Sequence, residues 1–445
     1  MKLTRRSVLK ASVAAFLSSL PLAAKAQTLA GKKVIVVGAG IAGLGAAHQL
    51  QKQGAEVLVL EAGDYVGGRI RTDRSMGEPF EYGAGWIHGP SAKNPIQQLA
   101  EEVGADTFPT DDDDLEIYDV DGYALKSDGW DKLERMYEEV EAKLDYHIER
   151  SDKRTLLQAI KDYVPEAASD PLGQWMMTSY YEFDIGAGVE DISAANAFAD
   201  KAFEKADVIF LEGYDTILAP LAEGLDIRLN TPVSDISYDA TGVTVDGITA
   251  DYVVCTVPLG VLKAGAINFS PALPKPIRNA IEHLGFGTVT KIAMKFDEDF
   301  WDNDTQYFGA MTDTKGRWNY WLNYHEFSEE NILLGLSFGR YAPIADAMTP
   351  EEMTEDALEV LRNIWEDEVG TPSEVLTTHW SQDPLFRGAY SYPQHGGSEQ
   401  QFTAFQTPVQ NRVFMAGEHT IFDYHSTTHG ALMSGRRAAR QIAEV

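Results

Sequence analysis

Three glycines and one acid carry the most specific chemistry in this sequence. Gly38, Gly40 and Gly43 stand in the G-x-G-x-x-G spacing, and Glu61 follows at the distance, about 20 residues, at which a second strand delivers its last residue. Glycines so spaced allow a tight turn, let the main chain approach a pyrophosphate, and let a helix pack close on a strand. The carboxylate accepts hydrogen bonds from both hydroxyls of an adenosine ribose and repels a 2′-phosphate, which selects FAD or NAD over NADP. Holding these groups requires a strand, a turn, a helix and another strand. Val34 to Val37 is a short β-branched run. Ile41 to Gln53 sets Leu44, Ala47 and Leu50 on one side before Gly54 stops it, and Val57 to Leu60 is the second apolar run.

A second glycine turn adds a cation. Gly67, Gly68 and Arg69 can approach the same pyrophosphate from its other side, and E-A-G-x-x-x-G-G-R, Glu61 to Arg69, resembles the extended signature of flavin amine oxidases. Further motifs resemble the polyamine oxidase branch, which includes spermine and acetylpolyamine oxidases and histone lysine demethylases. They are Gly83 to Gly89 (GAGWIHG) followed by Asn94-Pro95-Ile96, residues 213 to 239, Thr288 to Phe296, Trp380 to Tyr392, and Gly417-Glu418 followed by S-T-T-H-G-A-L. The resemblance spans roughly residues 32 to 443.

The implied fold is α/β: a doubly wound, Rossmann-like FAD domain interleaved with an α+β substrate domain of mixed sheet and helices. Residues 30–98, 205–287 and 401–445 are expected in the first, 99–204 and 288–400 in the second. The implied cofactor contacts are Gly38, Gly40, Ala42, Gly43, Glu61, Ala62, Gly68, Arg69, Gly85, Trp86, Val233, Trp380, Gly417, Glu418 and Thr428. The helix opening near Thr428 would aim partial positive charge at the flavin pyrimidine. Lys291 maps onto a lysine that reaches flavin N5 through a water, and His88 onto a tunnel position near the substrate nitrogen. With Tyr390, an aromatic wall, and Thr427, which replaces a tyrosine of monoamine oxidases, they form the expected catalytic set. Trp86, Tyr181, Glu182 and Tyr390 are expected to bind substrate, Glu182 by holding a remote ammonium. Amino-acid oxidases would need an arginine for the substrate carboxylate, and none follows His88 in its motif.

The implied reaction oxidises the C–N bond of a polyamine of spermine or spermidine type. A hydride equivalent goes to flavin N5, and imine hydrolysis gives an aldehyde and a shorter amine, with hydrogen peroxide where oxygen is the acceptor. Two other readings stay open: oxidation of a monoamine or alkaloid with a cytochrome as acceptor, and a non-catalytic FAD-bearing polyamine-binding protein. The chain has no long coiled-coil insertion, which sets histone demethylation aside.

Composition narrows the partners. The 445 residues are 44% hydrophobic and 24% charged, with a formal net charge of −31. Such a field repels nucleic acid and anionic membrane and attracts cations. No metal site is expected. Cys255 is the only cysteine, which excludes an intrachain disulfide, and no cysteine stands near the C-terminal flavin motif, so the FAD should be held non-covalently. At the N-terminus, Thr4 to Lys10 (TRRSVLK), an apolar run from Ala11 to Ala24, and Ala24-Lys25-Ala26 read as a twin-arginine leader cleaved after Ala26. The mature chain is then expected in the periplasm, with oxygen or a periplasmic acceptor as its partner and no stable membrane insertion. The sequence leaves the oligomeric state open.

Overall fold

The computed structural model describes residues 29–445; the leader lies outside the described residues. A parallel sheet of five strands organises the cofactor half. Its spatial order is Val413–Met415, Tyr252–Cys255, Lys33–Val37, Glu56–Leu60 and Asp226–Arg228. These strands form because short β-branched runs are buried by helices; Ile41–Lys52 packs between the sheet and the last helix, Thr428–Ala443. Close approach is built into the pair, since a Cβ on Gly435 would lie 2.0 Å from the carbonyl oxygen of Ala42.

The carboxyl ends of the strands converge on one edge, where open α/β sheets bind ligands. Gly38 follows the first strand, Glu61 the second and Thr256 the strand ending at Cys255, and Gly417 lies two residues past the strand ending at Met415. Cys255 itself lies in the sheet, paired in register with Val37 and Met415, 1% exposed.

A six-stranded sheet carries the other half, in the order Glu374–Thr377, Thr290–Lys295, Ile332–Ser337, Tyr320–Asn323, Tyr307–Ala310 and Leu115–Tyr118. Alternation in Thr290–Lys295 predicts a half-buried strand, yet every residue except Lys295 is buried. Both faces are covered. Val289 and Ala293 join a cluster with the helices of residues 127–185, while Ile292 and Met294 pack toward the helix Pro350–Trp365. Lys291 therefore points into the protein interior, 5% exposed.

The helix Ser127–His147 follows the apolar spacing of its sequence, with Leu133, Met136, Tyr137, Val140 and Leu144 buried. The helix Pro171–Met177 continues into a wide π-type turn, Thr178–Glu182. Turns of this kind insert an extra residue and re-aim side chains, often at functional sites.

Candidate active site

One cavity of about 1000 Å³ runs along the edge where the strands end and passes between the two sheets. That is the upper end of ordinary ligand pockets, with room for a large cofactor and a second molecule. Its cofactor end is lined by Gly38, Gly40, Ala42, Glu61, Ala62, Gly68, Arg69 and Val233. Gly38 has φ +101°, and a Cβ there would meet Thr256 Oγ1 at 2.7 Å; on Gly43 it would lie 2.0 Å from the Gly38 carbonyl oxygen. These two glycines serve the turn itself, and Gly43 does not line the cavity. Gly40 differs. Its φ is −70°, and the nearest protein atom to an added Cβ is 3.8 Å away. Nothing in the protein requires a glycine there, so the bare backbone is a cradle for something else.

Glu61 accepts hydrogen bonds from the Ala39 N–H at 2.6 Å and the Gly63 N–H at 2.7 Å. A carboxylate has about four acceptor positions, so capacity for two hydroxyls remains. Arg69 donates to Glu418 Oε1 at 3.0 Å and to the carbonyl of Ala389 at 2.5 Å. Glu418 also accepts from the N–H groups of Ser391 (3.2 Å) and Ser426 (3.1 Å) and from the Ser391 hydroxyl at 2.5 Å. Burial alone would raise its pKa, but Arg69 and these donors win and hold it below the ordinary carboxylate range.

Gly85, Trp86, His88, Lys291, Trp380, Tyr390, Gly417, Thr427 and Thr428 line the other end. Lys291 Nζ donates to the main-chain oxygens of Glu81 (3.0 Å) and Gly83 (2.6 Å) and stands 5.6 Å above the Trp86 ring. Burial lowers its pKa. Trp380 is fixed by its indole N–H on the Tyr82 carbonyl at 2.8 Å, and Tyr390 by its hydroxyl on the Phe183 carbonyl at 2.8 Å. His88 Nδ1 lies 2.6 Å from Asp207 Oδ2. Thr427 caps the last helix: its hydroxyl accepts from the Gly430 N–H at 3.0 Å and donates to the Tyr424 carbonyl at 2.8 Å. The structure thus gives this side chain a positioning task. The Thr428 hydroxyl meets Tyr214 Oη at 2.7 Å.

Glu182 departs from expectation. The π-type turn sends Tyr180, Tyr181, Phe183 and Asp184 to the cavity and Glu182 to the opposite side. There it is 1% exposed, accepts from the Val189 N–H at 2.8 Å and pairs with Lys315 Nζ at 2.5 Å. It cannot hold a substrate ammonium in the cavity. Acids that line the cavity near its aromatic residues include Glu141, Asp145 and Asp184. Glu141 accepts from the Tyr181 hydroxyl at 2.7 Å, and burial raises its pKa.

Among the acids that sequence reasoning missed are Glu141, Asp207 and Glu81. Glu141 was findable, because it shares a helical face with Leu144 and Ile148, three and seven residues along. Asp207 and Glu81 gave no such signal; each matters through a partner more than 100 residues away.

A parallel nucleotide-type sheet whose cavity continues to a buried lysine and an aromatic wall has the form of a dinucleotide-dependent enzyme. The model of the family described as flavin containing amine oxidoreductase matches residues 41–443, and the chain belongs to that family. It is 34% identical to polyamine oxidase 4 of Oryza sativa subsp. japonica over 432 residues, 91% of this chain and 87% of the relative. Identity to the probable polyamine oxidase 4 of Arabidopsis thaliana is 32%, over 92% and 86% of the two chains. Among solved structures, wild-type putrescine oxidase bound to putrescine superposes with a TM-score of 0.75 at 21% identity, covering 93% of this chain and 99% of that one. The protein is a flavin amine oxidase, and its FAD is held non-covalently. The bare backbone at Gly40 and the residual capacity of Glu61 fit the cofactor, and the sole thiol lies outside the cavity lining.

Proposed function

We propose that the protein oxidises a C–N bond of a polyamine of the spermine or spermidine type, giving an aldehyde and a shorter amine. The observation that carries this reading is the continuity of one cavity from Lys291, Trp380 and Tyr390 to the carboxylates of Glu141, Asp145 and Asp184. Bound FAD supplies the two-electron acceptor. The chain's own residues do the rest. The acids hold the remote, charged nitrogens of a long substrate, while the nitrogen at the reacting end must be neutral, since an ammonium has no lone pair to support oxidation of its carbon. With Asp207 on Nδ1, His88 keeps its N–H there and leaves Nε2 free to take a proton from the entering ammonium. Tyr390, locked by Phe183, walls the chain in. Lys291 uses two of its three N–H bonds on carbonyls, and the third can hold the water that hydrolyses the imine.

A monoamine would use the aromatic end alone and gain nothing from the acids. Glu141→Gln separates the two readings. It should raise KM for spermidine about tenfold, the equivalent of about 1.4 kcal/mol, and leave KM for a monoamine unchanged. Equal effects on both, or none on either, would overturn the polyamine reading.

We also propose twin-arginine export, with the periplasm as the working compartment and oxygen or a periplasmic protein as final electron acceptor. The support is the run Thr4 to Lys10 and the small residues Ala24 and Ala26. N-terminal sequencing of the exported protein should begin at Gln27. A start at Met1 in the cytoplasmic fraction would reject export.

A further inference from the structure

Glu81 is a buried carboxylate that the reaction outlined above does not use. It ends the short strand Phe80–Glu81, is 9% exposed, and is not among the residues that line the cavity. Its side chain accepts from the Thr72 hydroxyl at 2.8 Å and the Tyr214 N–H at 2.7 Å. Its main-chain oxygen, by contrast, is one of the two seats of the Lys291 ammonium. Lys291 is equally buried, and among the described residues no carboxylate forms an ion pair with it. Two opposite charges thus lie in the same dry region, joined through one residue's backbone but not in contact.

Burying a charge without compensation costs several kcal/mol, so each depends on the other. The remaining charges around Glu81 do not substitute. Arg74 and Asp215 are paired with each other at 2.6 Å, and Tyr214 and Tyr324 are neutral phenols. Among the described residues the only charged neighbour of Lys291 is Glu81; its other contacts are the carbonyls of Glu81 and Gly83 and the Trp86 ring.

We propose that Glu81 is the counter-charge of Lys291, a positioning residue that keeps this lysine protonated and seated on the Glu81 and Gly83 carbonyls. Its carboxylate acts through Lys291 and touches no substrate. Burial pushes the proton affinities of the two groups toward each other, carboxylate up and ammonium down, so the pair is sensitive to loss of either charge. Removing the negative charge leaves the desolvation of Lys291 unopposed, and the lysine then releases its proton at lower pH.

The proposal rests on the amine-oxidase reading for its consequence but not for its test. FAD-loaded enzyme labelled with 13C and 15N in lysine is titrated without any amine, and the Lys291 signal is identified by its loss in Lys291→Met. In Glu81→Gln the titration midpoint of that signal should fall by about one pH unit or more, as expected for loss of a nearby opposite charge. Glu81→Asp should restore it most of the way to the original value. A folded, FAD-loaded Glu81→Gln enzyme with an unchanged midpoint overturns the proposal, even if its activity is reduced. Should Glu81→Gln fail to fold, Thr72→Val decides. Losing one donor makes Glu81 easier to protonate and must move the midpoint down by a smaller step; no movement overturns the proposal.

Discussion

At Gly40 and Gly43 the same substitution has two different meanings. Alanine at Gly43 would put a methyl group 2.0 Å from the Gly38 carbonyl oxygen, so the helix must leave the strand, at about 3 kcal/mol or more. Alanine at Gly40 meets no protein atom within 3.8 Å and should change the stability of the apoprotein by less than about 1 kcal/mol. Its methyl group would occupy space meant for the cofactor. Thermal unfolding of the two apoproteins together with FAD binding should therefore show Gly43→Ala unstable, and Gly40→Ala stable but at least tenfold weaker for FAD. Equal FAD affinity in Gly40→Ala would remove that residue from the cofactor cradle. The sequence spells out this distinction, because the glycine spacing reflects local geometry. Lys291 was legible only by family resemblance, since its depth depends on two layers of packing supplied by distant segments.

Elements decide where a side chain goes once the local pattern is satisfied. The aromatic stretch Trp175 to Asp184 ends in two acids, and the family resemblance assigns the first of them, Glu182, to the substrate. The π-type turn at Thr178–Glu182 shifts the helical register there, and no residue type within it announces the shift. Glu182 consequently meets Lys315, which also lies 3.4 Å from Glu190. Lys315→Met would leave Glu182 buried without a counter-charge and should cost about 3 kcal/mol, with KM for a polyamine unchanged within twofold. A large rise in KM without loss of stability would instead return Glu182 to the substrate. The helix Ser127–His147 shows the converse case. Its apolar stripe predicts the packing correctly, and Glu141 follows from reading the neighbouring stripe as well.

Over the whole molecule, a formal charge of −31 surrounds a cavity with carboxylates in its wall. Such a field concentrates polycations and speeds their encounter, and salt screens it over about 8 Å at physiological ionic strength. kcat/KM for spermine should therefore fall roughly tenfold between low salt and 0.3 M salt, and for a monoamine by a much smaller factor. Parallel salt dependence for the two would mean that the acidic surface serves solubility alone. The α/β architecture was readable because the motifs are spread over the whole chain, in strands or at their ends. Of the acids in the cavity wall only Glu141 was within reach of the sequence; Asp145 and Asp184 face the cavity because the helix Ser127–His147 and the segment after the π-type turn are set in depth only when the sheets close on them.

The central claim is that a long, multiply charged amine gives its electrons to the bound FAD. Anaerobic titration of the purified, FAD-loaded enzyme tests it directly by the visible flavin spectrum. Spermine or spermidine should bleach the flavin completely at stoichiometric concentration, while arylamines and amino acids should leave it oxidised. A flavin bleached by a simple monoamine and untouched by polyamines would contradict the account.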